Sequence, residues 1–123
     1  MGRADEKLAV QVGSKGYFGK ISLEAEAEDR GGSVTVDFDP SISGEWRTGA
    51  SFGIDYALDH VTRRSLFPNG GRVRVLSIGG HAVDTTNVVI AFVAANALYK
   101  ALGVQPVKKP EFDKNTGMFS FPK

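Results

Sequence analysis

The stretch Arg72–Gly103, RVRVLSIGGHAVDTTNVVIAFVAANALYKALG, limits what this chain can fold into more than any other part of it. Arg72–Ile78 is rich in β-branched and aliphatic residues and lies between Asn69-Gly70-Gly71 and Gly79-Gly80, the punctuation of a strand. Asp84, Thr85 and Thr86 are N-cap residue types set just before an apolar run that begins at Val88. Gly103 stands where a helix end takes a left-handed residue. A strand that turns directly into an apolar helix is the joint between the two layers of a small domain. The turn leaves His81 and Asp84 at an exposed rim.

The remaining elements are read against that joint. Residues 1–6 are polar and expected to fray. Lys7–Val12 alternates, with Leu8, Val10 and Val12 on one face, and Gly13-Ser-Lys-Gly16 reads as a flexible basic loop. Ile21, Leu23, Ala25 and Ala27 then alternate with Ser22, Glu24, Glu26 and Glu28, which predicts a half-buried strand. Asp29-Arg-Gly-Gly32 reads as a hairpin turn into a third strand, Val34–Phe38, ended by Asp39-Pro40. The sheet so formed is expected to have one apolar face and one acidic, wet face carrying Glu24, Glu26, Glu28, Asp37 and Asp39. Arg72 and Arg74, on one face of the fourth strand, can balance these glutamates.

A first helix is expected from Ser43, with Trp46, Ala50, Gly53, Ile54, Ala57, Leu58 and Val61 as its apolar stripe and Arg63-Arg64 closing it. Gly49 and Gly53 inside that helix imply a close neighbour. Val88, Ile90, Phe92 and Leu98 are the expected core of the second helix. The order β-β-β-α-β-α predicts a two-layer α+β sandwich, a four-stranded mixed sheet with two helices on one face. After residue 107 come prolines, lysines and phenylalanines. Residues 108–123 form either a small hairpin about Lys114-Asn-Thr-Gly117 or an arm that docks on the body or on a partner.

The 123 residues have room for one core, and a net charge of +1 gives no bulk attraction to nucleic acid or membrane. The helix up to Leu102 spans about 27 Å, short of a bilayer core, and contains Asn87, Asn96 and Lys100. The cytoplasm is the expected compartment, with no membrane role.

Chemistry is sparse. There is no cysteine and there are two histidines. His60 lies beside Asp59, Arg63 and Arg64 and reads as a solvated helix-end cation. His81 and Asp84 could orient a hydroxyl nucleophile, but no serine lies in a GxSxG elbow. Two histidines and scattered carboxylates fall short of a metal site. No GxxxxGK[ST] loop and no GxGxxG turn is present. No cofactor is expected, and the chain reads as no enzyme. Lys15, Tyr17, Phe18 and Lys20 instead place two cations and two aromatics in one short segment, taken as a loop tip, where rings can stack on unpaired bases and lysines can meet phosphates.

Three stretches, in this order and at this spacing, resemble domain IV of the translational GTPase elongation factor G. Gly16-Tyr-Phe-Gly19-Lys20-Ile21 is similar to that family's GxYGHV segment. Ser43-Gly44-Glu45-Trp46 leading to Gly53-Ile54 is similar to its PGEY…GI pattern. His81-Ala-Val83-Asp84-Thr85-Thr86 is similar to HDVDSS, with an apolar helix and Pro106-Val107 following. The likeness spans residues 8–107, within a domain taken as residues 1–107. Lys20 stands where the family has a histidine, Ala82 replaces an aspartate, and Asn87 an acidic residue.

The resemblance implies a ribosomal-protein-domain-two-like fold with a left-handed crossover. It also implies a free-standing module, without a GTPase part, that contacts ribosomal or other RNA through two tip loops. By position these carry Lys15, Gly16, Tyr17, Phe18, Gly19 and Lys20 on one, and Gly80, His81 and Asp84 on the other. The competing expectation is a protein-interaction or oligomerisation module that uses the acidic sheet face or the phenylalanine-rich tail.

Overall fold

The computed structural model describes residues 1–123. The elements follow in the order β1 (Arg3–Val12), β2 (Lys15–Ala27), β3 (Val34–Phe38), α1 (Arg47–Asp59), α2 (Arg63–Leu66), β4 (Gly71–Gly79), α3 (Asn87–Leu102), β5 (Glu111–Asp113) and β6 (Met118–Ser120). The first four strands form one mixed sheet in the order β1-β2-β4-β3, and β5 and β6 form a separate hairpin. α3 lies against β1 and β2, α1 packs along α3, and the other sheet face is left open. This is the expected α+β sandwich.

Three local expectations are corrected. Asp29–Gly32 is not a hairpin turn between paired strands, because β4 lies between β2 and β3. β3 runs parallel to β4, from Val34 opposite Gly71 to Phe38 opposite Val75, and the chain returns through α1. Gly31 and Gly32 do take the positive φ of a turn, at 64° and 87°. However, turn chemistry is local and does not choose a strand's partner. Residues 3–6 are not frayed: Arg3 lies opposite Glu24, and the Gly2 amide donates to the Ala101 carbonyl at 3.0 Å. α1 ends at Asp59, and Arg63 belongs to a separate turn of helix, although its Nε still donates to the Leu58 carbonyl at 3.2 Å.

The core forms where β2 and β4 face the helices. Ile21, Leu23 and Ala25 are buried opposite Ile78, Val75 and Val73, beneath Ile54, Ile90, Val93, Ala94 and Leu98. Ala27 is exposed at the strand end, and Val88, an expected core residue, is also exposed. It sits on the outer side of α3, and Val89 takes the inward position in its stead.

The two helices meet on small residues. Gly49 and Gly53 of α1 face Asn87 and Ala91 of α3, so both members of each pair are one helical turn apart. Trp46 supplies no side-chain cap to α1, and the Gly49 amide is one of the first-turn donors without an intrahelical partner. The Asn87 side chain accepts it at 3.0 Å, a cap delivered by the neighbouring helix.

Residues 108–123 take the hairpin form. Phe112 lies opposite Phe119, and the turn closes on Gly117, whose φ is 73°. Both rings pack on Tyr17 of β2 and Phe92 of α3, at centroid distances of 5.3–6.4 Å. Phe121 packs on Phe52 and Tyr56. The Tyr56 hydroxyl donates to the Pro122 carbonyl, and that of Tyr99 to the Lys108 carbonyl at 3.5 Å.

Burial pushes the Tyr99 hydroxyl up to about 12 and raises that of Tyr56. A phenol whose folded pKa is raised contributes stability that is complete below about pH 10, its unfolded value, and lost as pH rises through the folded value. Alkaline titration should therefore leave the fold intact to about pH 10 and dissolve it, tail first, towards about pH 12. Tyrosinate absorbance read beside circular dichroism checks this; a single absorbance step centred at about pH 10 for every tyrosine of the folded protein would contradict it.

Candidate nucleic-acid interface

Gly16–Lys20 is not a loop. The turn between β1 and β2 is only Gly13-Ser14, and Lys15 already pairs with Val12. Gly16, Tyr17, Phe18, Gly19 and Lys20 are strand residues opposite Gln11, Val10, Ala9, Leu8 and Lys7. The apolar residues of β1 supply a pairing partner, and this overrides the loop tendency of the two glycines. The pleat then divides the segment. Lys15, Tyr17 and Gly19 point to the helix side, whereas Gly16, Phe18 and Lys20 point to the open face.

β4 ends opposite Lys20, at Gly79, and the chain beyond it runs on beside β2. The Phe18 amide donates to the Asp84 carbonyl at 3.0 Å. Thr85 Oγ1 donates to the Phe18 carbonyl and accepts from the His81 amide, both at 2.7 Å, and the Thr85 amide closes the turn on the His81 carbonyl at 3.0 Å. The His81 ring is thereby laid on the Phe18 ring, with centroids 4.4 Å apart and planes tilted by 36°. The Asp84 carboxylate covers Gly16, where a Cβ would lie 2.7 Å from Oδ2. Segments more than sixty positions apart thus share one end of the domain.

Thr85 is the buried link, 8% exposed. Sequence reasoning read it only as a cap candidate, a role that falls to Thr86, whose hydroxyl accepts from the Val89 amide. Its short polar side chain beside a glycine turn was the one available signal. Thr85→Val keeps the shape and strands two backbone groups, so a loss of about 2 kcal/mol is expected. Faster hydrogen exchange at the His81 amide would accompany it; unchanged protection there would count against the link.

The other residues of the segment divide between surface and scaffold. Tyr17 is no stacking platform, because Phe112 and Phe119 cover its ring and Lys15 Nζ lies over it, 5.5 Å from the centroid. Gly19 is a spacer: a Cβ there would lie 2.7 Å from Val89 Cγ1. Gly80 makes room for Thr85, with a Cβ position 2.7 Å from its Cγ2 and Oγ1. Lys20 is exposed, its stem resting over Gly79. His60 is remote, at the end of α1, its ring on Tyr56 and its Nδ1 2.8 Å from the Tyr56 carbonyl.

The open face is not acidic as a whole. Glu24 lies opposite Arg3 on one side and Arg74 on the other, and Glu26 opposite Arg72. Arg72 Nε donates to Asp37 Oδ2 at 2.7 Å, which raises the already high pKa of the guanidinium. At the strand ends, a hydrogen bond to Glu28 holds the Glu26 carboxyl above its usual range, while Arg30 holds Glu28 below it. No group of three or more metal-ligating side chains is present, and no helix is long and apolar enough to cross a membrane.

No family model and no curated protein matches the chain. Among solved structures with this fold is the crystal structure of a protein from Thermus thermophilus. It superposes with a TM-score of 0.64 at 19% identity, over 83% of this chain and 16% of that one. The likeness is one of fold. The chain spans about a sixth of the length of that protein.

Proposed function

We propose that this chain is a non-enzymatic RNA- or ribosome-binding module of the elongation factor G domain IV kind, and that it contacts RNA at the end where β2 meets the His81–Thr85 turn. The observation that carries this reading is the stack of His81 on Phe18, with Lys20 on the same face. An aromatic pair beside unpaired cations suits bases and phosphates. The segments that meet there are two of the three that resemble the family.

The test is salt dependence. Affinity for a labelled ribosomal RNA fragment should fall with added salt, with a slope reflecting about two to four phosphate contacts. Replacing Lys15 and Lys20 together with alanine should flatten that slope. An affinity insensitive to both would contradict the proposal.

A protein-interaction or oligomerisation role is the second reading, and exposed Phe52 and Val88, beside one groove between α1 and α3, favour it. The tail phenylalanines pack on the body and arginines lie opposite the sheet glutamates, which weakens the tail and the sheet face as surfaces for it. A strictly monomeric protein in light scattering at rising concentration would count against self-association.

A further inference from the structure

At one end of the open sheet face two like charges stand opposite each other. Lys7 of β1 and Lys20 of β2 are direct cross-strand partners. Neither takes part in any ion pair of the chain. Like charges directly opposite each other on a sheet are destabilising, and this pair has no carboxylate between its members. The two lysines border a shallow hollow of about 330 Å³ that also takes in Ser22 and Ser77. Ser22 and Ser77 face each other across β2 and β4. Asp5 and Glu6 complete the rim, and both are engaged: Asp5 accepts from Ser22 at 2.5 Å and lies 3.8 Å from Arg3, and Glu6 pairs with Lys100 at 3.5 Å.

Phe18 is two residues from Lys20 on the same strand face, so the Phe18–His81 pair adjoins the hollow. A ring pair next to two free ammonium groups and serine hydroxyls matches the two parts of a nucleotide, its base and its phosphate. A flat, open sheet face admits a splayed single strand; the paired bases of a duplex are not free to lie on such a ring.

We infer that the RNA taken by this module is single-stranded and lies across the open sheet face, with a phosphate between Lys7 and Lys20 and an unpaired base against Phe18 and His81. This rests on the RNA-binding reading above. It adds Lys7 to the site and moves the contact from the loop tips to the sheet.

Fluorescence anisotropy with a labelled twelve-nucleotide RNA of mixed sequence, alone and annealed to its complement, tests it. The single strand should bind at least about tenfold more tightly than the duplex, the value of one stacked base. Lys7→Gln should weaken binding about fivefold and make the salt slope shallower by about 0.7. Phe18→Leu, which keeps apolar bulk but removes the ring, should weaken it about tenfold. Arg64→Gln, in α2 beyond the remote end of α1, should leave it unchanged. Lys7 is exposed, so unchanged circular dichroism of Lys7→Gln separates a lost contact from lost folding.

Equal or tighter duplex binding would overturn the inference. So would RNA binding that ignores both Lys7→Gln and Phe18→Leu; the RNA-binding reading would then stand with its surface elsewhere. If neither RNA form binds the unaltered protein in low salt, both fall together.

Discussion

Gly53→Ala should cost about 3 kcal/mol of unfolding free energy, at the upper end of what overpacking a core usually costs. The direction is opposite to intrinsic helix propensity, which favours alanine over glycine by about 1 kcal/mol. The difference lies in what faces the position. A Cβ on Gly53 would stand 2.9 Å from both the Cα and the carbonyl carbon of Ala91, and closer still to its oxygen. These are backbone atoms of α3, so relief requires the helices to separate, not a side chain to turn. Separation would also pull Asn87 from the Gly49 amide and loosen the contacts of Ile54, Ala57 and Leu98. For a domain with a total stability of about 5–15 kcal/mol, the loss is large. Urea unfolding followed by circular dichroism measures it. A variant as stable as the parent, or more so, would mean that the helices do not meet on these glycines.

Phe119→Ala should release the tail rather than unfold the body. Phe119 contacts Tyr17, Phe92 and Phe112 at centroid distances of 5.8, 5.4 and 4.6 Å. Losing these aromatic contacts and the buried area costs about 2–3 kcal/mol. A two-stranded hairpin is marginal in water on its own, so β5 and β6 depend on this docking. Hydrogen exchange should show protection lost in Glu111–Ser120 and retained in α3. Retained protection in the hairpin would contradict the docking role. The same substitution uncovers Tyr17, which the docked hairpin withholds from solvent.

The parts of the fold that were legible in sequence are those governed by local periodicity and local backbone chemistry. The alternation of Ile21, Leu23 and Ala25 named buried residues correctly, and Gly103 does take the left-handed cap, with φ at 71°. Gly117 marked its turn because a positive φ suits glycine. Pairing partners were less legible. Gly31 and Gly32 promised a turn, yet β3 finds its place through the return of α1 and lies beside β4. Val88 and Val89 are equally apolar, and only the rotation of α3 on the sheet decides which is covered.

The site followed the same division. Lys15–Lys20 and His81–Asp84 stood out by residue type, but glycines beside aromatics suggested a loop where the pairing with β1 makes a strand. Once the strand is in place, its pleat sends Tyr17 to the hairpin and Phe18 to His81, a division that residue type cannot announce. Thr85 joins residues far apart in sequence, and Lys7 gains its interest only from lying opposite Lys20. Both facts depend on register.

The most direct measurement is a titration of the isotope-labelled protein with RNA, followed by the chemical shifts of its backbone amides. If this end of the domain is the RNA contact, the largest changes fall on Phe18, Lys20, His81 and Asp84, while Thr48, Phe52 and Val88 on the helix side stay still. Changes confined to the groove beside Phe52, or none at all with RNA in excess, would contradict it.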